Sequence, residues 1–291
     1  MRYRLTMSIR YAFDRPSGDG RQLLRICPAR LPGVQQVTSC EVTVTPRPAE
    51  RRSFTDFFGT EVIELAFPSG LSEVRFDLAA EVRREMRQAG FDQSAPLAAL
   101  PAEIASVRDL DAQSPHHFLA PSPRVPVVPE ISSFAAAAVA GAASVREAVQ
   151  RLGEALHEAM TFDAKATSVD TPIAEAFAGR QGVCQDMSQI MIAGLRSLGI
   201  PAAYVAGFLR TEPPPGQPRL AGADAMHAWV RAWTGGLAGW VEYDPTNACF
   251  VDSDHVTVGY GRDYSDIAPV TGMLRFFGAQ SGSHSVDIIE I

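Results

Sequence analysis

From Cys184 to Leu198 the chain reads as a helix with one buried face, and that run limits what the rest can fold into. Met187, Ile190, Met191, Leu195 and Leu198 recur at helical spacing, with Gly194 in register. Gly199-Ile200-Pro201 then stops the helix. The lead-in, Gly179-Arg180-Gln181-Gly182-Val183, is rich in small, turn-forming residues. Cys184 stands one turn before Met187 and starts the same inward stripe. The first turn of a helix offers unpaired backbone N–H groups and the positive end of the peptide dipoles. Both favour a thiolate, which is the nucleophilic form of cysteine. Taken alone, Cys184 is equally well read as a small apolar residue at the top of a buried face. The residues downstream decide between the two.

A nucleophilic cysteine needs a base, usually histidine, and a group that orients the base. Met226-His227-Ala228-Trp229-Val230-Arg231-Ala232-Trp233 reads as a strand and Thr234 to Gly239 as a hairpin loop. Trp240-Val241-Glu242-Tyr243-Asp244 reads as the returning strand, ended by Pro245. If Trp233 faces Trp240, then Arg231 faces Glu242 and Trp229 faces Asp244, pairing aromatics and opposite charges. In that register His227 and Asp244 are diagonal neighbours on one face, whereas a one-residue slip would separate them. Glu242 is read as the ion-pair partner of Arg231.

The first 80 residues alternate apolar and polar positions, as in Tyr3, Leu5, Met7, Ile9 and Tyr11, between turn signals such as Gly18-Asp19-Gly20 and Pro68-Ser69-Gly70. They read as an antiparallel β-sandwich. Pro96, Pro101, Pro115, Pro121, Pro123, Pro126 and Pro129 punctuate a connector with short helical turns. The expected division is a sandwich over 1–85, the connector over 86–130 and a core over 131–291. Within the core, Ser144 caps a helix and Thr171-Pro172 opens a short one. The stretch Thr211 to Gly222, with Pro213-Pro214-Pro215-Gly216, reads as a loop that gates the site. His116-His117 lacks further ligands at metal spacing and reads as exposed loop.

The net charge of −7 argues against nucleic acid or an anionic membrane as partner. Cys27, Cys40, Cys184 and Cys249 form no CxxC pair, which gives no zinc site or disulfide framework. The N-terminus lacks the apolar run of a signal peptide, so a reducing, cytoplasmic setting is expected.

Three motifs, Gly182-Val183-Cys184-Gln185-Asp186, Met226-His227-Ala228-Trp229 and Gly239-Trp240-Val241-Glu242-Tyr243-Asp244-Pro245-Thr246, together resemble the transglutaminase-like superfamily. Leu195-Arg196-Ser197-Leu198-Gly199-Ile200-Pro201-Ala202 and Gly261 to Pro269 resemble its bacterial members, as does the strand-rich N-terminal module. The resemblance implies an α+β fold with a papain-like core: a helix carrying Cys184 packed on an antiparallel sheet carrying His227 and Asp244. It implies Cys184 as nucleophile, His227 as base and Asp244 as orienting group. The expected reaction is attack on an amide of a peptide or protein through a thioester. Hydrolysis is favoured; protein-glutamine acyl transfer and a non-catalytic binding or assembly protein are the alternatives. No cofactor or metal is expected. Papain-type enzymes often carry an oxyanion-hole Gln six residues before the nucleophile, where this chain has Ala178. The Cys184 backbone N–H and Gln181 are the candidate donors instead. Trp229 and Trp240 are the candidate cleft walls, and Asp186 is assigned a structural role.

Overall fold

Strict alternation makes the first module a sandwich. Tyr3, Leu5, Met7 and Ile9 are buried while their neighbours face water. In this computed structural model, which describes residues 1–85, 90–211, 224–275 and 278–291, that pattern belongs to β1 (Arg2–Phe13). There follow β2 (Gly20–Leu24), β3 (Gln35–Thr45), β4 (Glu50–Thr55), β5 (Glu61–Phe67) and β6 (Glu73–Arg84). The antiparallel register Leu5↔Ala80, Met7↔Leu78 and Ile9↔Phe76 puts buried residues of β1 and β6 on one face. Their shared core with Leu24, Ile63 and Leu65 of the second sheet is what joins the two layers.

The connector holds helix α1 (Leu100–Ser106) and a single 3-10 turn over Pro115–Phe118. In that turn the His116 and His117 rings bond backbone carbonyls of Val107, Leu110 and Asp111. Then come α2 (Pro129–Ala138), α3 (Val145–Ala159), β7 (Thr161–Phe162), α4 (Ile173–Gly179), β8 (Gln181–Gly182) and α5 (Cys184–Ser197). Ser144 does cap α3, its Oγ accepting the Glu147 N–H at 3.1 Å. Helix α5 is buried from Gln185 to Arg196, because sheet lies on one side and α2, α3 and α4 on the other. The sheet comprises β9 (Ala202–Leu209), β10 (Ala225–Trp233), β11 (Trp240–Asp244), β12 (Cys249–Phe250) and β13 (His255–Gly261), in the order β12-β11-β10-β9-β13. All its pairings are antiparallel, and Trp233↔Trp240 and Arg231↔Glu242 face each other as the sequence pairing anticipates. Phe208, Val256 and Val258 of this sheet pack into the sandwich core, so the two units are joined by apolar contact. The fold is thus α+β, with the Cys184 helix packed on the antiparallel sheet.

One boundary needs correction. After α6 (Tyr264–Ile267), strands β14 (Val270–Leu274) and β15 (Gln280–Glu290) leave the 131–291 core and return to the sandwich. β14 pairs with β2, and β15 runs along β1 from Phe13 to Tyr3. They were hidden because only Val286 and Ile288 of β15 are buried, so little alternation marks them. Covering the open edge of β1 is the physical gain. The edge strand β4 escaped the sequence reading for the same reason: all its residues are exposed. The proposed gating segment, including Pro213 to Gly216, lies outside the described residues except for Thr211. Among the described residues no helix is long and apolar enough to cross a membrane.

Candidate active site

The start of α5 is held by an acid, not by its N-cap. Val183 occupies the cap position and has no side-chain acceptor. Asp186 reaches back instead: its Oδ2 accepts the Val183 N–H at 2.9 Å and the Thr167 hydroxyl at 2.6 Å. This is the carboxylate half of a capping box. It gives Gly182 its purpose, since a Cβ there would lie 2.8 Å from Asp186 Oδ2 and 2.9 Å from Asp186 Cβ. Backbone bonds from Thr161 to Arg180 and from Asp163 to Gly182 pin the approach to the helix. Cys184 is left half-buried, with its first turn fixed. Gly182→Ala should therefore displace Asp186 and cost about 1–3 kcal/mol, the usual range for overpacking. A thermal melt and the alkylation rate of Cys184 check this; both unchanged would refute it.

His227 enters from β10 and Asp244 from the end of β11. His227 Nε2 lies 2.7 Å from Asp244 Oδ2, as the hairpin register requires. Nε2 is thereby occupied, and Cys184 is close enough to act on the ring, which leaves Nδ1 as the nitrogen for the sulfur. Burial opposes charge on His227, but the hydrogen bond to Asp244 and the nearby Cys184 sulfur outweigh it and push the ring up to about 10. Asp244 is wholly buried. Burial alone would raise its carboxyl, yet donors from His227, His255 and Asn247 hold it far below the usual carboxylate range. Its Oδ1 also takes the backbone N–H groups of Thr246 at 2.9 Å and Asn247 at 3.3 Å. The Asp-Pro-Thr-Asn turn is therefore both the strand stop and the cradle of the carboxylate.

His255, at the start of β13, went unread in the sequence. It is buried, and its Nε2 lies 3.1 Å from the same Asp244 Oδ2. No spacing rule ties residue 255 to 244, because their strands, β13 and β11, are separated in the sheet by β9 and β10. Gly207, opposite His227 in β9, makes room for the Trp229 ring that flanks both histidines. A Cβ at Gly207 would lie 2.3 Å from the Trp229 ring.

Two expectations are overturned. Trp229 is fully buried and cannot wall a cleft. Its indole N–H donates to Glu242 Oε2 at 2.8 Å, and its ring packs beside Val205 and Tyr260. Trp240 is half-buried and lines a cavity of about 960 Å³ between sandwich, connector and hairpin, to which none of Cys184, His227 and Asp244 contributes. The Arg231–Glu242 ion pair is also absent among the described residues. Both Glu242 oxygens are taken, by Trp229 and by the Tyr260 hydroxyl at 3.1 Å. Arg231 instead lies between Trp240 and Tyr260, 4.6 and 4.3 Å from their ring centres.

Gln181 sits exposed in β8, paired with Thr161, three residues before Cys184. Among the described residues, His227, Asp244 and His255 are those that could hold a metal, with ligand atoms within 4.8 Å of one another. Hydrogen bonds among themselves already occupy those atoms. Chemically, the arrangement brings a sulfur, an imidazole and a buried carboxylate together at a helix N-terminus.

Residues 132–245 match the model of the transglutaminase-like superfamily, and residues 3–83 match that of the bacterial transglutaminase-like N-terminal region. An uncharacterised protein of Mycobacterium tuberculosis is 30% identical over 254 residues, covering 82% of this chain and 77% of the relative. One from Mycobacterium leprae is 40% identical over 114 residues, 38% of each chain. Among solved structures, a candidate cysteine protease from Cytophaga hutchinsonii has a TM-score of 0.76 at 21% identity, covering 99% of this chain and 90% of that one. The chain belongs to the transglutaminase-like superfamily and carries the N-terminal region of its bacterial members.

Proposed function

We propose that this protein is a cysteine enzyme that cleaves amide bonds of a peptide or protein by hydrolysis. The observation that carries the reading is the 2.7 Å bond from His227 to a wholly buried Asp244, on an imidazole close enough to Cys184 to feel its charge. Asp244 orients the ring and stabilises its protonated form. The Cys184 sulfur attacks the carbonyl carbon, forming a C–S bond and an oxyanion. Backbone N–H of Cys184, at the helix start, is one donor to that oxyanion and the exposed Gln181 amide the second. Collapse breaks the C–N bond, and His227 gives its proton to the departing amine. Water then attacks the thioester, His227 takes its proton, and the acid leaves as the thiolate returns. Half-exposure of Cys184 leaves its thioester within reach of solvent water.

A peptide and amide library, screened with wild type and Cys184→Ala and with and without an added primary amine, tests this. Free acid released by wild type alone is the expected result. Amine incorporation would turn the assignment to acyl transfer, and silence in every arm would turn it to a binding or assembly role.

A further inference from the structure

His255 lies outside every motif that points to the site, yet it touches the residue at its base. We propose that His255 is a positioning residue, a second imidazole that clamps Asp244 in the rotamer His227 requires. This rests on reading Cys184 and His227 as nucleophile and base.

An ionised carboxylate only accepts. Asp244 Oδ2 faces His227 Nε2 at 2.7 Å, His255 Nε2 at 3.1 Å and Asn247 Nδ2 at 2.6 Å. His255 must therefore carry a proton on Nε2. Its Nδ1 is buried with no partner among the described residues. A buried N–H without an acceptor is costly, so Nδ1 is the lone-pair nitrogen and His255 is the Nε2–H tautomer. The two imidazoles thus differ in kind. His227 has a second nitrogen for Cys184 and can pass a proton along; His255 has one proton and commits it to Asp244.

His255 is also anchored from outside the core. Two residues on, the Thr257 N–H donates to Gln35 Oε1 at 2.9 Å, and the Thr257 carbonyl accepts from Gln35 Nε2 at 2.7 Å. The Ala29 N–H donates to that same carbonyl at 2.8 Å. Gln35 and Ala29 belong to the N-terminal module, and Gln35 is itself buried. The sandwich therefore grips the strand from which His255 reaches Asp244. This gives the N-terminal module a part in holding the site. Without His255, Oδ2 loses one of three donors and the carboxylate is freer to turn away from His227.

Two readouts test the proposal. The first is the rate of Cys184 alkylation by iodoacetamide at neutral pH in full-length wild type, His255→Leu and His255→Gln, with thermal melts alongside. Glutamine keeps an N–H donor near the Nε2 position; leucine does not. Leucine should slow alkylation by about tenfold, as losing an outer orienting partner typically does. Glutamine should restore it to within about threefold at a similar melting temperature. Equal rates for the two variants would overturn the proposal. The second readout is the ¹⁵N NMR signature of the histidine rings, assigned by loss of the His255 signal in the variants. A proton on Nε2 and none on Nδ1 is expected, and the reverse would overturn the proposal. If wild-type Cys184 reacts no faster than Cys249, the nucleophile reading is what fails, and the ring signature alone judges His255.

Discussion

Cys184→Ala should leave a folded protein with no measurable turnover. The sulfur is half-buried at the top of α5, and the first turn beneath it is fixed by Asp186 and not by the thiol. Its removal should shift stability by less than about 1 kcal/mol, the scale of one small, partly exposed group. The effect on rate is of another order. Loss of a nucleophile that works jointly with its base lowers kcat by roughly 10⁶-fold where this has been dissected. The check is a matched pair of thermal melts beside acid release on a responsive library substrate. Turnover within tenfold of wild type would remove Cys184 from the mechanism. A second consequence concerns His227. The Cys184 sulfur is one of the neighbours that push this ring up to about 10. In the alanine variant the ring should titrate lower, a shift that NMR can follow without any substrate.

Asp244→Asn should damage both activity and stability. Asparagine keeps the shape but replaces an acceptor oxygen by an amide that must meet two imidazoles and the Asn247 side chain. With Nδ2 turned inward, donor faces donor at 2.7 Å. With its oxygen turned inward, the negative charge that holds the imidazolium is gone. The wrong tautomer at this position costs about 10⁴-fold in kcat in the Ser-His-Asp template. Removing one partner of a buried charged pair typically costs about 3–5 kcal/mol of stability.

The pH dependence follows from the same two groups. His227 is raised on folding, so its contribution to stability is full below the ordinary histidine value and is lost as pH climbs through about 10. Asp244 is lowered, so its contribution is present above the ordinary carboxylate value and fades as pH falls towards its folded value. Wild type should hold a broad stability plateau between these limbs. In Asp244→Asn the acid limb should weaken and the alkaline limb should move to lower pH. Denaturant midpoints measured from pH 3 to pH 11 check this; superimposable profiles would refute it.

Much of the site was legible because it rests on local rules. Helical spacing placed Cys184 at the head of α5, and the period of two in β10 and β11 fixed which residues share a face. The pairing of Trp233 with Trp240 followed from side-chain chemistry. Three kinds of feature were not legible. Strands with little alternating burial, β4 and β15, carry little signal of their own; their partners define them. Burial of a large aromatic is decided by what lies over it, and Trp229 is covered by packing against Val205 and Tyr260. Contacts between strands that are not neighbours have no spacing, as with Arg231 of β10 reaching the Tyr260 ring of β13. Cys27 and Cys40, scattered in sequence, likewise end close enough for each to act on the other's thiol.

The sequence alone determined the family, the element that carries Cys184 and the register that joins His227 to Asp244, because each depends on neighbours within a helix or a hairpin. Only the tertiary structure decided that a second histidine shares the carboxylate, that the last two strands complete the sandwich, and that Gln35 braces the strand bearing His255. Those contacts close over 11 to more than 200 residues, where the packing of sheets, and no repeat in the chain, sets which groups meet.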